Sequence, residues 1–255
     1  MNLFDIQGRK AIVTGATRGL GHGMAEGLME AGAEVVIWGS SEKARDIAEE
    51  FNNSGCGLKC HGVAVDLGNR ESLHAAFARS LELLGGKIDI LVNSAGIQRR
   101  HPSEEFPMED WDAVLEINLT APFELCQLAG REMLKEGYGK IINIASMQSF
   151  FGGFTIPAYA SAKGGVALLT KALCNEWAGK GINVNAIAPG YMATEMNAAL
   201  LDPANPRYKE ITDRIPAHRW GQPQDMKGAC IFLASHASDY LNGAVIPVDG
   251  GYASK

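Results

Sequence analysis

Tyr159 and Lys163 stand four residues apart in the segment AYASAKGG. On a helix that spacing puts a phenol and an ammonium on the same face. A tyrosine with its ordinary pKa of about 10 is a poor proton carrier at neutral pH, and a nearby cation stabilises the phenolate. Ser146 lies upstream, and if the intervening loop folds back its hydroxyl meets that face. The three groups could then hold a substrate oxygen at Ser146 and exchange its proton at Tyr159, with Lys163 lowering the tyrosine pKa. An isolated Y-x-x-x-K is more often an ordinary surface pair. The weight of the reading therefore rests on what positions it.

Ser146 follows Ile141, Ile142 and Ile144, a β-branched run that reads as a buried strand. Tyr159 follows Pro157 at the start of a helical pattern with Val166, Leu169, Leu173 and Trp177 on one face. The same alternation runs through the chain. Lys10–Thr14 reads as a strand that enters Gly15-Ala-Thr17-Arg18-Gly19-Leu20-Gly21, with a helix beginning at once. A strand, a glycine turn and a helix N-terminus present free N–H groups to an anion, here with the spacing G-x-x-x-G-x-G. Glu34–Trp38 is a second strand, ending at Gly39-Ser40-Ser41 without an acid at its tip. An acid there would bond a ribose 2′-hydroxyl, whereas Arg18, Ser40 and Ser41 would receive a 2′-phosphate, so the reading leans to NADP over NAD. Ser40 or Ser41 serves equally well as the cap of the next helix.

Further strands are expected at Leu58–Val65, leading to Asp66 and Leu67, and at Ile88–Val92, leading to Asn93-Ser94-Ala95-Gly96. Asn69–Leu84 reads as a helix stopped by Gly85-Gly86. Trp111–Glu136 is helical around Asn118, whose apolar neighbours imply a buried amide that must be bonded. Ile182–Ile187 precedes Pro189-Gly190-Tyr191-Met192-Ala193-Thr194, Pro223–Ala234 is helical, and Ala244–Val248 is the last strand. The prolines of Asn197–Arg219 suggest a helical excursion, and residues 192–219 read as a substrate lid. Alternating strands and helices predict an α/β fold: a single-domain, Rossmann-like, doubly wound parallel sheet of about seven strands, filling residues 1–255 with no second domain.

The whole chain narrows the function classes. A net charge of −6 over 255 residues, with no long basic run, argues against nucleic acid. No apolar run approaches a membrane span, and MNLFDIQGRK lacks signal-peptide form. The five cysteines (Cys56, Cys60, Cys126, Cys174, Cys230) are scattered. Cys56 and Cys60 lack the partners zinc needs, so no metal is expected and the setting is reducing and cytoplasmic.

Thr14-Gly15-x-x-x-Gly19-x-Gly21, Asp66, Asn93-Ser-Ala-Gly96, Asn118, Ser146, Tyr159-x-x-x-Lys163 and Pro189-Gly190 together resemble the short-chain dehydrogenase/reductases, over the length of the chain. The resemblance implies hydride exchange between NADP or NAD and a secondary alcohol or ketone. It implies a catalytic tetrad of Asn118, Ser146, Tyr159 and Lys163, with Asn118 holding a relay water. Cofactor contacts would come from Gly15, Thr17, Arg18, Gly19, Leu20, Gly21, Ser40, Ser41, Asp66, Leu67, Asn93, Ala95 and Gly96. Tyr159, Lys163, Pro189, Gly190, Met192 and Thr194 would complete them. Ser94 departs from the second asparagine many members carry. Within the family the chain is most similar to enzymes of sugar acids of the gluconate and 2-dehydro-3-deoxy-D-gluconate type. Arg99, Arg100, His101, Gln148 and Arg219 are the candidates for holding such a substrate. A 3-oxoacyl-thioester reductase or another alcohol dehydrogenase shares scaffold and chemistry. A catalytically silent nucleotide sensor or scaffold should have lost a tetrad member. Family members are usually tetramers, so a homotetramer is expected.

Overall fold

The structure is a computed structural model that describes residues 2–54, 57 and 59–255. The expectations for Cys56 and for Leu58 as the first residue of a strand fall outside them.

Seven strands form one sheet: β1 (Lys10–Val13), β2 (Glu34–Gly39), β3 (Lys59–Ala64), β4 (Ile90–Asn93), β5 (Gly139–Ile144), β6 (Ile182–Pro189) and β7 (Val245–Val248). Every pairing is parallel, in the order β3-β2-β1-β4-β5-β6-β7. β1, β4, β5 and β6 are buried on both faces because helices cover both sides. The order reverses between β1 and β4, which opens a crevice at the carboxyl ends of the strands, the usual place for a ligand in such a sheet.

The helices are α1 (Gly19–Glu30), α2 (Lys43–Asn53), α3 (Arg70–Leu83), α4 (Met108–Leu115), α5 (Ala121–Glu136), α6 (Pro157–Trp177), α7 (Ala198–Leu201), α8 (Pro206–Arg214) and α9 (Lys227–Ala234). One core cluster joins α1, α2 and α9 to one face of the sheet, and a second joins α3, α5 and α6 to the other. Asn69 caps α3 by accepting from Ser72 N–H at 2.9 Å. No helix among the described residues is long and apolar enough to cross a membrane.

The stretch around Asn118 is less regular than its periodicity suggests. Between α4 and α5, residues Glu116–Thr120 form a π turn. Ala121 N–H reaches back to the Glu116 carbonyl, so the ladder is already out of α register where Pro122 enters and the missing proline N–H costs little. The 192–219 excursion is built from a short 3-10 turn, α7 and α8. It is not loose over its length: Ile211 and Ile215 are buried against Ala145, Met147 and Ala188 at the strand tips.

Candidate active site

Ser146 stands two residues beyond the end of β5 and begins a turn that brings the chain back. Its hydroxyl accepts from Gln148 N–H (3.2 Å), while its own N–H donates to the Ser149 hydroxyl (3.3 Å). Ser149 in turn donates to the backbone carbonyl of Lys163 at 2.7 Å. The S-x-x-S box thereby ties the tip of β5 to the second turn of α6. Pro157 starts α6 with a preset φ, which puts Tyr159 in its first turn. The Ser146 hydroxyl lies near enough to the Tyr159 phenol to favour its ionised form. The loop does fold back, and the two oxygens share one place at the mouth of the crevice.

Lys163 lies behind them. It is 4% exposed, and its ammonium is 5.7 Å from the centre of the Tyr159 ring and donates to the Ile144 carbonyl at 2.6 Å. Burial alone pulls its pKa down from 10.5 to about 8. The expected effect on Tyr159 is not found. Burial raises the phenol above its ordinary value, against opposing pulls from the Ser146 hydrogen bond and from Arg100. The physical reason is placement: the ammonium is spent on a carbonyl beside the ring, and the cation that acts on the phenol is Arg100.

Asn118 is fully buried in the π turn, with its amide committed on both atoms: Oδ1 accepts from Ile97 N–H and Nδ2 donates to the Ile97 carbonyl, each at 2.8 Å. It locks the segment leaving β4. A β-carbon on Gly96 would come within 3.0 Å of Asn118 Oδ1 and 3.9 Å of Lys163 Nζ, so Asn118 and Lys163 flank the same glycine. Thr14, which the spacing argument used only as part of a motif, pins that segment from β1: its hydroxyl accepts from Ser94 and Ala95 N–H, both at 3.0 Å.

The crevice suits a dinucleotide. No side chain caps α1, which leaves its first N–H groups available to a pyrophosphate. Gly15, at φ +64°, allows β1 and the Ala95 backbone to approach so closely that a β-carbon would sit 2.8 Å from Ala95 Cα. Gly21 likewise faces the Gly15 carbonyl, 2.4 Å from where its β-carbon would be. Thr17 packs beside Gly39, and Leu20 leans on the core behind α1. Asp66 and Leu67 follow β3, with Asp66 Oδ1 accepting from Gly68 N–H at 2.9 Å. Ser40 and Ser41 are exposed beyond β2, and α2 begins after Glu42 with no side-chain cap, so neither hydroxyl is used as one. Arg18 reaches across to Glu195 (Nε–Oε2 3.2 Å), both side chains being largely exposed. Gly190 closes on the other side, its N–H bonded to the Val248 carbonyl and a β-carbon excluded by Asp249 at 2.6 Å; Pro189 ends β6, and Thr194 stands 3.7 Å from the β-carbon position of Gly19.

Two residues expected along the cofactor have their side chains turned into the core. Asn93 is 3% exposed and donates to Asn143 Oδ1 (2.9 Å), within a buried network that continues through Asn143 to Thr170. Met192 is equally buried and packs with α1 and α9. The basic candidates separate in the same way. Arg99 (3.2 Å) and His101 (2.7 Å) are both engaged by Asp110. Arg219 is held by both oxygens of Asp225, at 2.6 and 2.8 Å. Arg100 alone of these has no ion pair among the described residues, and its charge is within electrostatic reach of Tyr159, Tyr191 and Arg207. Gln148 Oε1 is buried near Gly153 without a hydrogen-bond partner.

This arrangement has relatives along its whole length. The family model described as enoyl-(acyl carrier protein) reductase matches residues 15–253. The 2-dehydro-3-deoxy-D-gluconate 5-dehydrogenase of Dickeya dadantii is 46% identical over 256 residues, covering 100% of this chain and 99% of that protein. The chain is a short-chain dehydrogenase/reductase. Like other members of that family, it is an NAD(P)-dependent oxidoreductase acting on CH–OH groups. The gluconate 5-dehydrogenase of Gluconobacter oxydans is 42% identical over 254 residues, with 98% of this chain and 96% of that protein covered. Among solved structures, a gluconate 5-dehydrogenase from Burkholderia cenocepacia in complex with NADP and tartrate superposes with a TM-score of 0.94 at 44% identity, covering 100% of this chain and 98% of that one. The parallel sheet and crevice described above are thus those of a dehydrogenase/reductase of this family.

Proposed function

We propose that this dehydrogenase/reductase interconverts a secondary alcohol and a ketone on a sugar acid of the gluconate or 2-dehydro-3-deoxy-D-gluconate type, with NADP as the preferred cofactor. The observation that carries the reading is Arg100. Among the described residues it has no acidic partner, and its charge acts on Tyr159, so a substrate carboxylate bound there would satisfy it. The names of the relatives point to the same substrate class.

When bound, the nicotinamide supplies or accepts the hydride. Gly15, Gly19 and Gly21 would hold the pyrophosphate on the N-terminus of α1, Asp66 the adenine side, and Ser40, Ser41 and Arg18 a 2′-phosphate. Ser146 holds the substrate oxygen by a hydrogen bond, and Tyr159 passes a proton to that oxygen in reduction or takes it in oxidation. Lys163, with an ammonium near its titration point at neutral to mildly alkaline pH, resupplies the proton. The side chain of Asn118 is consumed by Ile97, so a relay water would rest on the backbone of its π turn.

Residues 192–219 act as the lid of this single catalytic unit. The exposed Phe123, Leu134 and Leu168 on α5 and α6 are the faces through which four copies would assemble in the cytoplasm. Light scattering reads that assembly directly. The function itself is tested by a steady-state screen of hexonates and acyl thioesters against NADH, NADPH and their oxidised forms, with Tyr159→Phe as control. Turnover of a hexonate that falls by about a hundredfold or more in the variant, with NADPH affinity kept, is the expected result. A preference for acyl thioesters would overturn the substrate assignment, and an active Tyr159→Phe enzyme the proton donor.

A further inference from the structure

Two buried hydroxyls tie helices to the sheet in the same way. Ser80 on α3 donates to the Ala76 carbonyl one turn back and accepts from the indole N–H of Trp38 on β2, both at 2.8 Å. Thr170 on α6 donates to the Val166 carbonyl at 2.8 Å and accepts from Asn143 Nδ2 on β5 at 3.0 Å. Ser80, Trp38, Thr170 and Asn143 are all fully buried. The first tie joins two elements that carry no member of the tetrad. The second falls beside one.

Thr170 stands two turns beyond Lys163 on the same face of α6. Asn143 immediately precedes Ile144, whose carbonyl accepts from the Lys163 ammonium at 2.6 Å. Strand and helix are therefore joined at two levels, by Asn143 with Thr170 and by Ile144 with Lys163. Asn143 is also anchored from its other side. Its Oδ1 accepts from Asn93 Nδ2 at 2.9 Å, and the two asparagines are register partners on β5 and β4. Without Thr170 the Asn143 amide would keep a buried N–H with no acceptor, so strand and helix would have to shift to satisfy it. The ammonium feels such a shift, because among the described residues Lys163 forms no ion pair and leans on that one carbonyl. Tyr159 is the titratable group beside it on the same helix, and the neutral Asn118 lies across Gly96 from it.

We infer that Thr170 and Asn143 are positioning residues for the reaction: together they hold the Ile144 carbonyl against the Lys163 ammonium and so keep it charged for proton resupply. The inference rests on the role proposed above for Lys163. A carbonyl oxygen on an ammonium favours the charged form, while burial disfavours it. Weakening the carbonyl contact leaves burial unopposed, and Lys163 then gives up its proton at lower pH.

The test compares wild type, Thr170→Val, Thr170→Ser, Asn143→Ala and the control Ser80→Ala. One readout is kcat for ketone reduction as a function of pH. The other is the pH at which stability to urea begins to rise, referenced to Lys163→Met in each background, which follows the titration of Lys163 itself. Thr170→Val keeps the shape and removes the hydroxyl. It should move the alkaline limb of kcat and the stability rise to lower pH by about half a unit or more. Asn143→Ala breaks the tie from the strand side and should do the same, so either variant carries the test should the other fail to fold. Thr170→Ser restores the hydroxyl and should return both midpoints to wild-type values. Ser80→Ala should lower stability and leave both midpoints in place. Midpoints that stay put in Thr170→Val and Asn143→Ala, or that move as far in Ser80→Ala, overturn the inference. A stability rise that moves while the kcat limb stays supports the positioning of the ammonium and overturns its role in proton resupply.

Discussion

The Ser149 hydroxyl donates a 2.7 Å hydrogen bond to the carbonyl of Lys163 while accepting from the N–H of Ser146. One small side chain thus fixes the distance between the strand that carries the oxygen-holding serine and the helix that carries Tyr159 and Lys163. Replacing Ser149 with alanine leaves the Ser146 N–H without its acceptor and frees the β5–α6 turn. The expected outcome is a kcat lowered about tenfold or more, because misplacing a reacting group by a fraction of an ångström is costly, with a melting temperature shift of only a few degrees. Stopped-flow turnover and calorimetry on the same preparation separate the two. A variant with wild-type kcat would show that the tie does not position the site.

Lys163 links the site to pH. Its folded-state pKa, about 8, is depressed from the 10.5 of a free lysine by burial. Between those values the unfolded chain holds a proton that the folded chain has released, so stability against unfolding rises as pH goes from 8 to 10.5. Below pH 8 both states are protonated, and the folded state carries the full cost of a buried ammonium, about 3 kcal/mol. Lys163→Met removes that cost and flattens this part of the profile. Urea titrations of both proteins at pH 7 and pH 10 measure the difference. An unchanged slope in the variant would move the titration elsewhere.

Neighbouring arginines should behave differently. Arg99 and Arg100 are indistinguishable by sequence, but Arg99 is bound to Asp110 at 3.2 Å, whereas Arg100 has no ion pair among the described residues and its charge acts on Tyr159. Arg100→Gln is expected to raise KM for a sugar acid about tenfold or more, the size of a lost charge-assisted hydrogen bond. Arg99→Gln should change it by about threefold at most, since an exposed ion pair contributes little. Parallel KM measurements decide, and equal effects would remove the distinction.

Much of this was legible in the residues. The strand-helix alternation gave the parallel sheet, since most of the strands are short apolar runs followed within a few residues by a glycine. Ser146, Tyr159 and Lys163 were readable because a strand tip and a fixed helical spacing bring them together by local rules. Side-chain direction was not readable where both faces of a strand are apolar: Asn93 at the end of β4 gives no parity signal, and it points into the core. The π turn at Asn118 leaves no mark in periodicity except the awkward Pro122, whose tolerance was its one clue. The direction of the Tyr159 shift was missed because the lysine on its own face is turned to the Ile144 carbonyl.

The tip of β2 offers the sharpest change of cofactor. Ser40 and Ser41 are exposed and neither caps α2, which leaves both hydroxyls for a ligand, while Arg18 stands nearby in an exposed pair with Glu195 that a phosphate can displace at little cost. Introducing an acid by Ser41→Asp places a negative charge where the 2′-phosphate of NADPH would lie and supplies an acceptor for the 2′-hydroxyl of NADH. Like charges at such range cost 1 kcal/mol or more, so kcat/KM with NADPH should fall about tenfold or more, while kcat/KM with NADH holds or improves. Raising the salt concentration should narrow the gap, since the site is open to solvent. The check is the ratio of kcat/KM for the two cofactors at low and high ionic strength, and a ratio that the acid does not move would place the adenosine ribose away from Ser40 and Ser41.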